Sequence, residues 1–270
     1  MIWKSMRAFA LLVVLLLLPF MAMAEEKAPM FDPDSPLAGA PEILISEGKK
    51  FRVPSGYIHQ RTRNYGTKHG IDLWMLWPGL VPQHDGNTIA FHTPGGGAKL
   101  DTRVKFYSSQ EASVSFLWKM AHPEYFRESP DKWLPQDFSQ RQWGESIYGL
   151  EAGYIDINKV IRWLSLSRME NIDELDEFEK GRWDDLFYQE DKTGHMKTVI
   201  HCTTRELGDP PEEMIDGKNI VRVPYCNHIM IIPELSAYIT IDYRRVFLKD
   251  WNEIEYGVRL LLLKFSNDAK

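Results

Sequence analysis

The chain has 270 residues, 44% of them hydrophobic and 26% charged, enough for one large domain or two small lobes with adequate cores. Lys and Arg number 32 against 38 Asp and Glu, a formal net charge of −6. Nucleic acids and anionic membrane surfaces reward clustered basic residues, so this balance argues against both and leaves solubility or a basic protein partner.

At the start, Lys4 and Arg7 precede an apolar run from Ala8 to Leu18, and the stretch closes on Ala22-Met23-Ala24. This pattern predicts a secretory signal peptide over residues 1–24, cleaved before Glu25. A retained anchor would need about 20 apolar residues; the run is shorter, and Pro19 breaks its end. A lipoprotein would need a cysteine at the cut, and the two cysteines are Cys202 and Cys226. The expectation is an exported, soluble protein with no stable membrane insertion after cleavage. Losing two basic and no acidic residues takes the formal charge to −8.

Residues 25–41 carry Pro29, Pro33, Pro36 and Pro41 and read as a flexible arm. Residues 42–46 and 51–54 read as two short strands about Glu47-Gly48-Lys49. Residues 71–77 are apolar on both alternating faces apart from Asp72, the pattern of a strand buried on both sides. A turn follows over 92–97, then a half-exposed strand over 102–107. Residues 118–143 are rich in aromatics, but Pro123, Pro130 and Pro135 limit them to short helices and ordered loop. A short amphipathic helix is predicted over 159–168, then an acidic stretch over 173–185. Strands are predicted near 186–188, 197–203, 221–232 and 238–247. The last element is a helix with Asp250 and Glu253 at capping-box spacing and Trp251, Ile254, Val258, Leu261, Leu262 and Phe265 on one face. The class is α+β, mostly antiparallel, with a C-terminal amphipathic helix. Residues 42–270 form a single domain, with lobes at 42–150 and 151–270 as the alternative; the strand-rich regions 42–108 and 186–266 fit either two lobes or one sheet.

His201-Cys202 and Cys226-Asn227-His228 suggest a metal site until strand alternation is applied. His228 can lie beside Cys226, but His201 points away from Cys202, so four ligands do not converge. In an exported chain a Cys202–Cys226 disulfide is the simpler outcome, closing a loop of twenty-three residues for about 3 kcal/mol. His228 then reads as a packed or hydrogen-bonded core residue. Gly144-Glu145-Ser146-Ile147-Tyr148 misses the second glycine of a nucleophile elbow, and Tyr148-Gly149-Leu150 is more strand-like than a helix start. Gly95-Gly96-Gly97 lacks the G-K-[ST] ending of a phosphate loop, and H-E-x-x-H is absent. No catalytic set, metal or cofactor is expected.

Two regions suit binding. Trp118, Tyr125, Phe126, Trp133, Phe138 and Trp143 offer stacking surfaces for sugars or anchors for a protein, or else pack an irregular segment onto the sheet. Asp173, Glu174, Asp176, Glu177, Phe178, Trp183, Asp184 and Asp185 place aromatics inside an acidic run. Such a run is either a solvated face or a surface for a basic, partly apolar partner.

Four stretches together resemble a known group: Phe51-Arg52-Val53-Pro54-Ser55-Gly56-Tyr57-Ile58; Tyr148-Gly149-Leu150; Cys202 with Val223-Pro224-Tyr225-Cys226-Asn227-His228; and Ile241-Asp242-Tyr243-Arg244-Arg245-Val246-Phe247-Leu248-Lys249-Asp250-Trp251-Asn252-Glu253-Ile254. The layout is similar to small exported Gram-negative proteins, including periplasmic immunity proteins encoded beside type VI secretion effectors such as lipases. The lack of a lipobox departs from those members that are lipoproteins. The resemblance implies a periplasmic, non-enzymatic protein that captures a secreted toxin or effector. The alternatives are an envelope glycan-binding or hydrolytic protein using residues 118–143, and a structural or assembly factor of the envelope.

Overall fold

The computed structural model describes residues 29–68, 70–92, 97–107, 115–126, 133–208 and 223–269. The expected signal peptide, residues 25–28 of the arm, most of the glycine turn and the start of the strand predicted from 221 lie outside these residues.

Alternation of apolar and polar side chains builds one large sheet. Its strands are β3 (Ile71–Leu76), β4 (Lys99–Phe106), β5 (Gln142–Trp143), β6 (Glu151–Tyr154), β7 (Asp184–Glu190), β8 (Met196–Thr203), β9 (Tyr225–Ile232) and β10 (Ala237–Arg244). They pair in the order β3-β4-β10-β9-β8-β7-β6-β5, every neighbour antiparallel. Strands from both strand-rich regions therefore share one sheet, joined where β4 meets β10. A separate hairpin, β1 (Pro41–Ser46) and β2 (Lys49–Pro54), turns at Glu47-Gly48 with φ of 48° and 74°, the left-handed pair that suits a two-residue hairpin. The class is α+β.

Helices occupy both faces. They are α1 (Gln60–Tyr65), α2 (Thr88–Phe91), α3 (Ser115–Ala121), α4 (Ile157–Arg168), α5 (Glu177–Lys180) and α6 (Trp251–Asn267). On one sheet face Val104, Ile200, Met230, Ile239 and Ile241 meet Ile254, Val258, Leu261, Leu262 and Phe265 of α6 in the main core, with Phe51 and Val53 of β2 closing it. Each such large side chain contributes roughly 1.5–3 kcal/mol when fully buried. On the other face Leu117 and Ala121 of α3 cover Leu186, Val199 and Ile229. Val160 and Leu164 of α4 pack with Leu175 and Trp183 at the side. At the β3-β4-β10 end of this second face Phe91 of α2 packs on Trp74, which stands opposite Asp101, and among the described residues no helix covers the polar side chains beyond it.

Three local details differ from expectation. Asp250 stands at the N-cap of α6 without capping it; its carboxylate accepts from the Trp77 indole at 3.2 Å, and a 3-10 turn over Arg245–Asp250 leads into the helix. Tyr148 and Gly149 form a turn with positive φ rather than a strand, bridged by Ile147 and Leu150. β7 starts at Asp184, drawing the end of the acidic stretch into the sheet.

Candidate functional site

The acidic run divides in two. Asp173, Glu174, Asp176, Glu177 and Phe178 are exposed around the start of α5, where the Asp176 carboxylate caps the helix by accepting from the Glu179 amide at 2.7 Å. Asp184 and Asp185 leave this surface because they enter β7, and Trp183, just before it, packs into the cluster under α4. Trp183 is 8% exposed and stacks edge-on against Trp163 at 5.8 Å. Asp185 is 0% exposed and accepts from the Ile155 and Arg205 amides at 3.0 and 2.7 Å and from Arg245 at 3.2 Å. Burial raises its carboxyl, and these donors act in the opposite direction. Asp184 points to the other sheet face and meets His201 Nδ1 at 2.5 Å and Arg141 at 3.4 Å. Burial opposes its charge, but His201 and Arg141 hold its carboxyl below the usual range. The expected continuous face thus narrows to residues 173–178.

Cys202 and Cys226 stand directly opposite each other in the β8–β9 ladder and form a disulfide. His228, buried on the same face, has Nε2 2.7 Å from Thr198 Oγ1 and 3.1 Å from Glu255 Oε2, with the Tyr243 hydroxyl 3.3 Å from Nδ1. Burial pushes the Glu255 carboxyl up, but its bonds to His228 and Thr198 leave it below its ordinary value. Tyr243 is pushed well up by burial and by Glu255. Among the described residues, no group of three or more His, Cys, Asp or Glu is placed to hold a metal ion. Ser146 donates to Glu151 at 3.0 Å on the surface, with no histidine in that contact.

The aromatic segment packs largely on itself. Trp118 stacks on His122 and His122 on Phe138, each at 4.0 Å; Phe138 then meets Trp143 at 4.5 Å, and Trp143 meets Tyr188 at 5.8 Å. Stacking spends ring faces on neighbours and leaves parts of Trp118, Tyr125, Phe126 and Trp143 exposed.

One arrangement was not foreseen. On the β3-β4-β10 end of the second sheet face, a hollow of about 170 Å³ is lined by His59, Arg61, Asp72, Asp101, Arg103 and Asp242, among others. Arg103 Nε donates to Asp72 at 2.6 Å, and Lys99 reaches Asp101 at 3.2 Å. Asn227 donates to Asp242 at 2.6 Å. Asp72 is raised chiefly by burial, with Arg61 opposing; Asp242 is raised by burial and by Asp101, with Asn227 and Arg61 opposing. Asn227 also lines a neighbouring hollow of about 240 Å³ with Asp184, His201 and Tyr225, so the two depressions adjoin. Alternation in β4 and β10 places these side chains on one face, but only the β4–β10 register brings them together.

No protein-family model matches the chain, and no curated protein matches it in sequence. Its fold is similar to that of Smlt3025, an immunity protein of the Stenotrophomonas maltophilia type IV secretion system. The TM-score is 0.63 at 18% identity, over 84% of this chain and 93% of that one. The Neisseria meningitidis iron-regulated outer membrane lipoprotein FrpD aligns over 90% of this chain and 97% of its own, but at a TM-score of 0.43 and 10% identity, too low to establish a common fold. Among the described residues, no helix is long and apolar enough to cross a membrane.

Proposed function

We propose that this protein is a periplasmic immunity-type inhibitor that binds a secreted effector and acts by capture, without catalysis of its own. The observation that carries this function is the fold shared with a secretion-system immunity protein over 84% of the chain and 93% of the neighbour. The expected export signal, the acidic balance and the exposed acidic segment support it. In that segment Asp173, Glu174, Asp176 and Glu177 complement a basic partner and Phe178 supplies an apolar anchor. The sequence resemblance is to immunity proteins of type VI effectors, whereas the structural neighbour serves a type IV system. We retain type VI delivery as the finer proposal; capture itself requires only that protein and effector meet in the periplasm.

The test is protection. Cells carrying the full chain, signal included, should survive when the effector encoded beside it is directed to the periplasm, and the two proteins should co-purify. Death of those cells with no complex recovered refutes the function.

A further inference from the structure

The β3-β4-β10 end of the second sheet face carries a pairing that sheets ordinarily avoid. Asp242 of β10 stands directly opposite Asp101 of β4 in the antiparallel ladder, and like charges so placed destabilise a sheet. The nearby cations are engaged elsewhere or in part: Arg103 and Arg61 approach Asp72 at 2.6 and 3.9 Å, and Lys99 takes Asp101 Oδ2 at 3.2 Å. Asp242 accepts from the neutral Asn227 amide at 2.6 Å, and the Arg61 cation acts on it without a hydrogen bond between them. Among the described residues Asp101 Oδ1 makes no hydrogen bond, and His59 Nε2 is 3.9 Å away. A carboxylate oxygen left this way is expensive unless something else satisfies it.

We propose that this hollow is a socket for an arginine side chain of the protein partner, its guanidinium bridging Asp101 and Asp242. The socket rests on the proposed capture of a protein and names the side chain that partner presents. The planar fork of arginine can donate to two carboxylates at once, which a lysine ammonium does with less geometric definition. The Asp101 side chain is 40% exposed and its terminal torsion is soft, so Oδ1 can turn toward the opening. The hollow of about 170 Å³ equals the liquid volume of several waters, at about 30 Å³ each, and suits a side-chain tip rather than a folded element. Arg103 and Arg61 stay with Asp72 at 2.6 and 3.9 Å, and an entering guanidinium must displace the weaker pull of Arg61 on Asp242.

The experiment is an amide-shift titration of the isotope-labelled full-length protein with Ac-Gly-Arg-Gly-NH2 at neutral pH. Asp101, Asn227 and Asp242 should shift together and saturate. Ac-Gly-Lys-Gly-NH2 should bind about fivefold more weakly, and Asp101→Asn and Asp242→Asn should each weaken the arginine peptide about tenfold or more, the scale of one charge-assisted hydrogen bond. No saturable shift at these amides overturns the socket. So do equal shifts with the lysine peptide or with Ca²⁺ alone, shifts unchanged in Asp242→Asn, or shifts that follow protein concentration without peptide, which would indicate a second copy. Effector capture that survives both variants, with no peptide binding, removes the socket and leaves the function. Peptide binding without effector capture does the reverse.

Discussion

Glu255 keeps its charge at 5% exposure because His228 and Thr198 bind the carboxylate, overcoming a burial effect that alone would neutralise it. Its folded pKa lies below the unfolded value of about 4.3, so the stabilisation is complete above that value and is lost as pH falls through the folded pKa. Glu255→Gln should therefore flatten the acid limb of a urea-midpoint profile below about pH 4.3; an unchanged limb would show that Glu255 does not drive it. Asp184 shifts in the same direction, so some acid sensitivity should persist in that variant. Arg141, buried and bonded to the Asp184 carboxylate and to its backbone carbonyl at 2.7 Å, holds the other end of this network. Arg141→Met should destabilise by about 3 kcal/mol by urea unfolding, since a partly buried carboxylate then loses its cation. None of these pairs was legible in the sequence. Alternation assigns a side chain to a face, but Arg141 and Asp184 meet only because β5, β6 and β7 lie side by side. The same limit applies to Trp183 and Asp185, which look like part of a solvated run until the α4 cluster takes the first and β7 the second.

At the scale of elements, periodicity was a good guide where the repeat was long. All six residues assigned to the apolar face of α6 are buried. The cap of that helix was misjudged because the partner of Asp250 is an indole remote in sequence. β5 and β6 have two and four residues, too few for a period to show. The disulfide was legible from two cysteines and the expectation of export, and the register explains its place: it ties β8 to β9, which are otherwise linked through the long connection from 204 to 224. Replacing both cysteines with alanine should lower stability by about 3 kcal/mol, read from urea or thermal unfolding. A loss below about 1 kcal/mol would mean that the open connection is already restrained in the unfolded chain.

For the whole molecule, the formal charge of −6 before signal removal predicts association that slows as salt rises, if the partner is basic. Stopped-flow association rates at low and high ionic strength would check this; a flat profile would point to an apolar contact centred on Phe178 or the exposed aromatics. The α+β class was legible, because its signals are local. The join between the two strand-rich regions was not, because register between distant strands leaves no mark on either one alone. That join has a consequence for how the chain comes into being. β4 finds its second neighbour only in β10, close to the C-terminus, and α6, which roofs the same core, follows β10. Contacts so distant along the chain delay folding. A chain ending at Ser236 should lack cooperative unfolding by circular dichroism, and a sharp transition there would refute this dependence. A polypeptide that postpones its core until its last segment arrives stays threadable, the condition that the proposed export would impose on it.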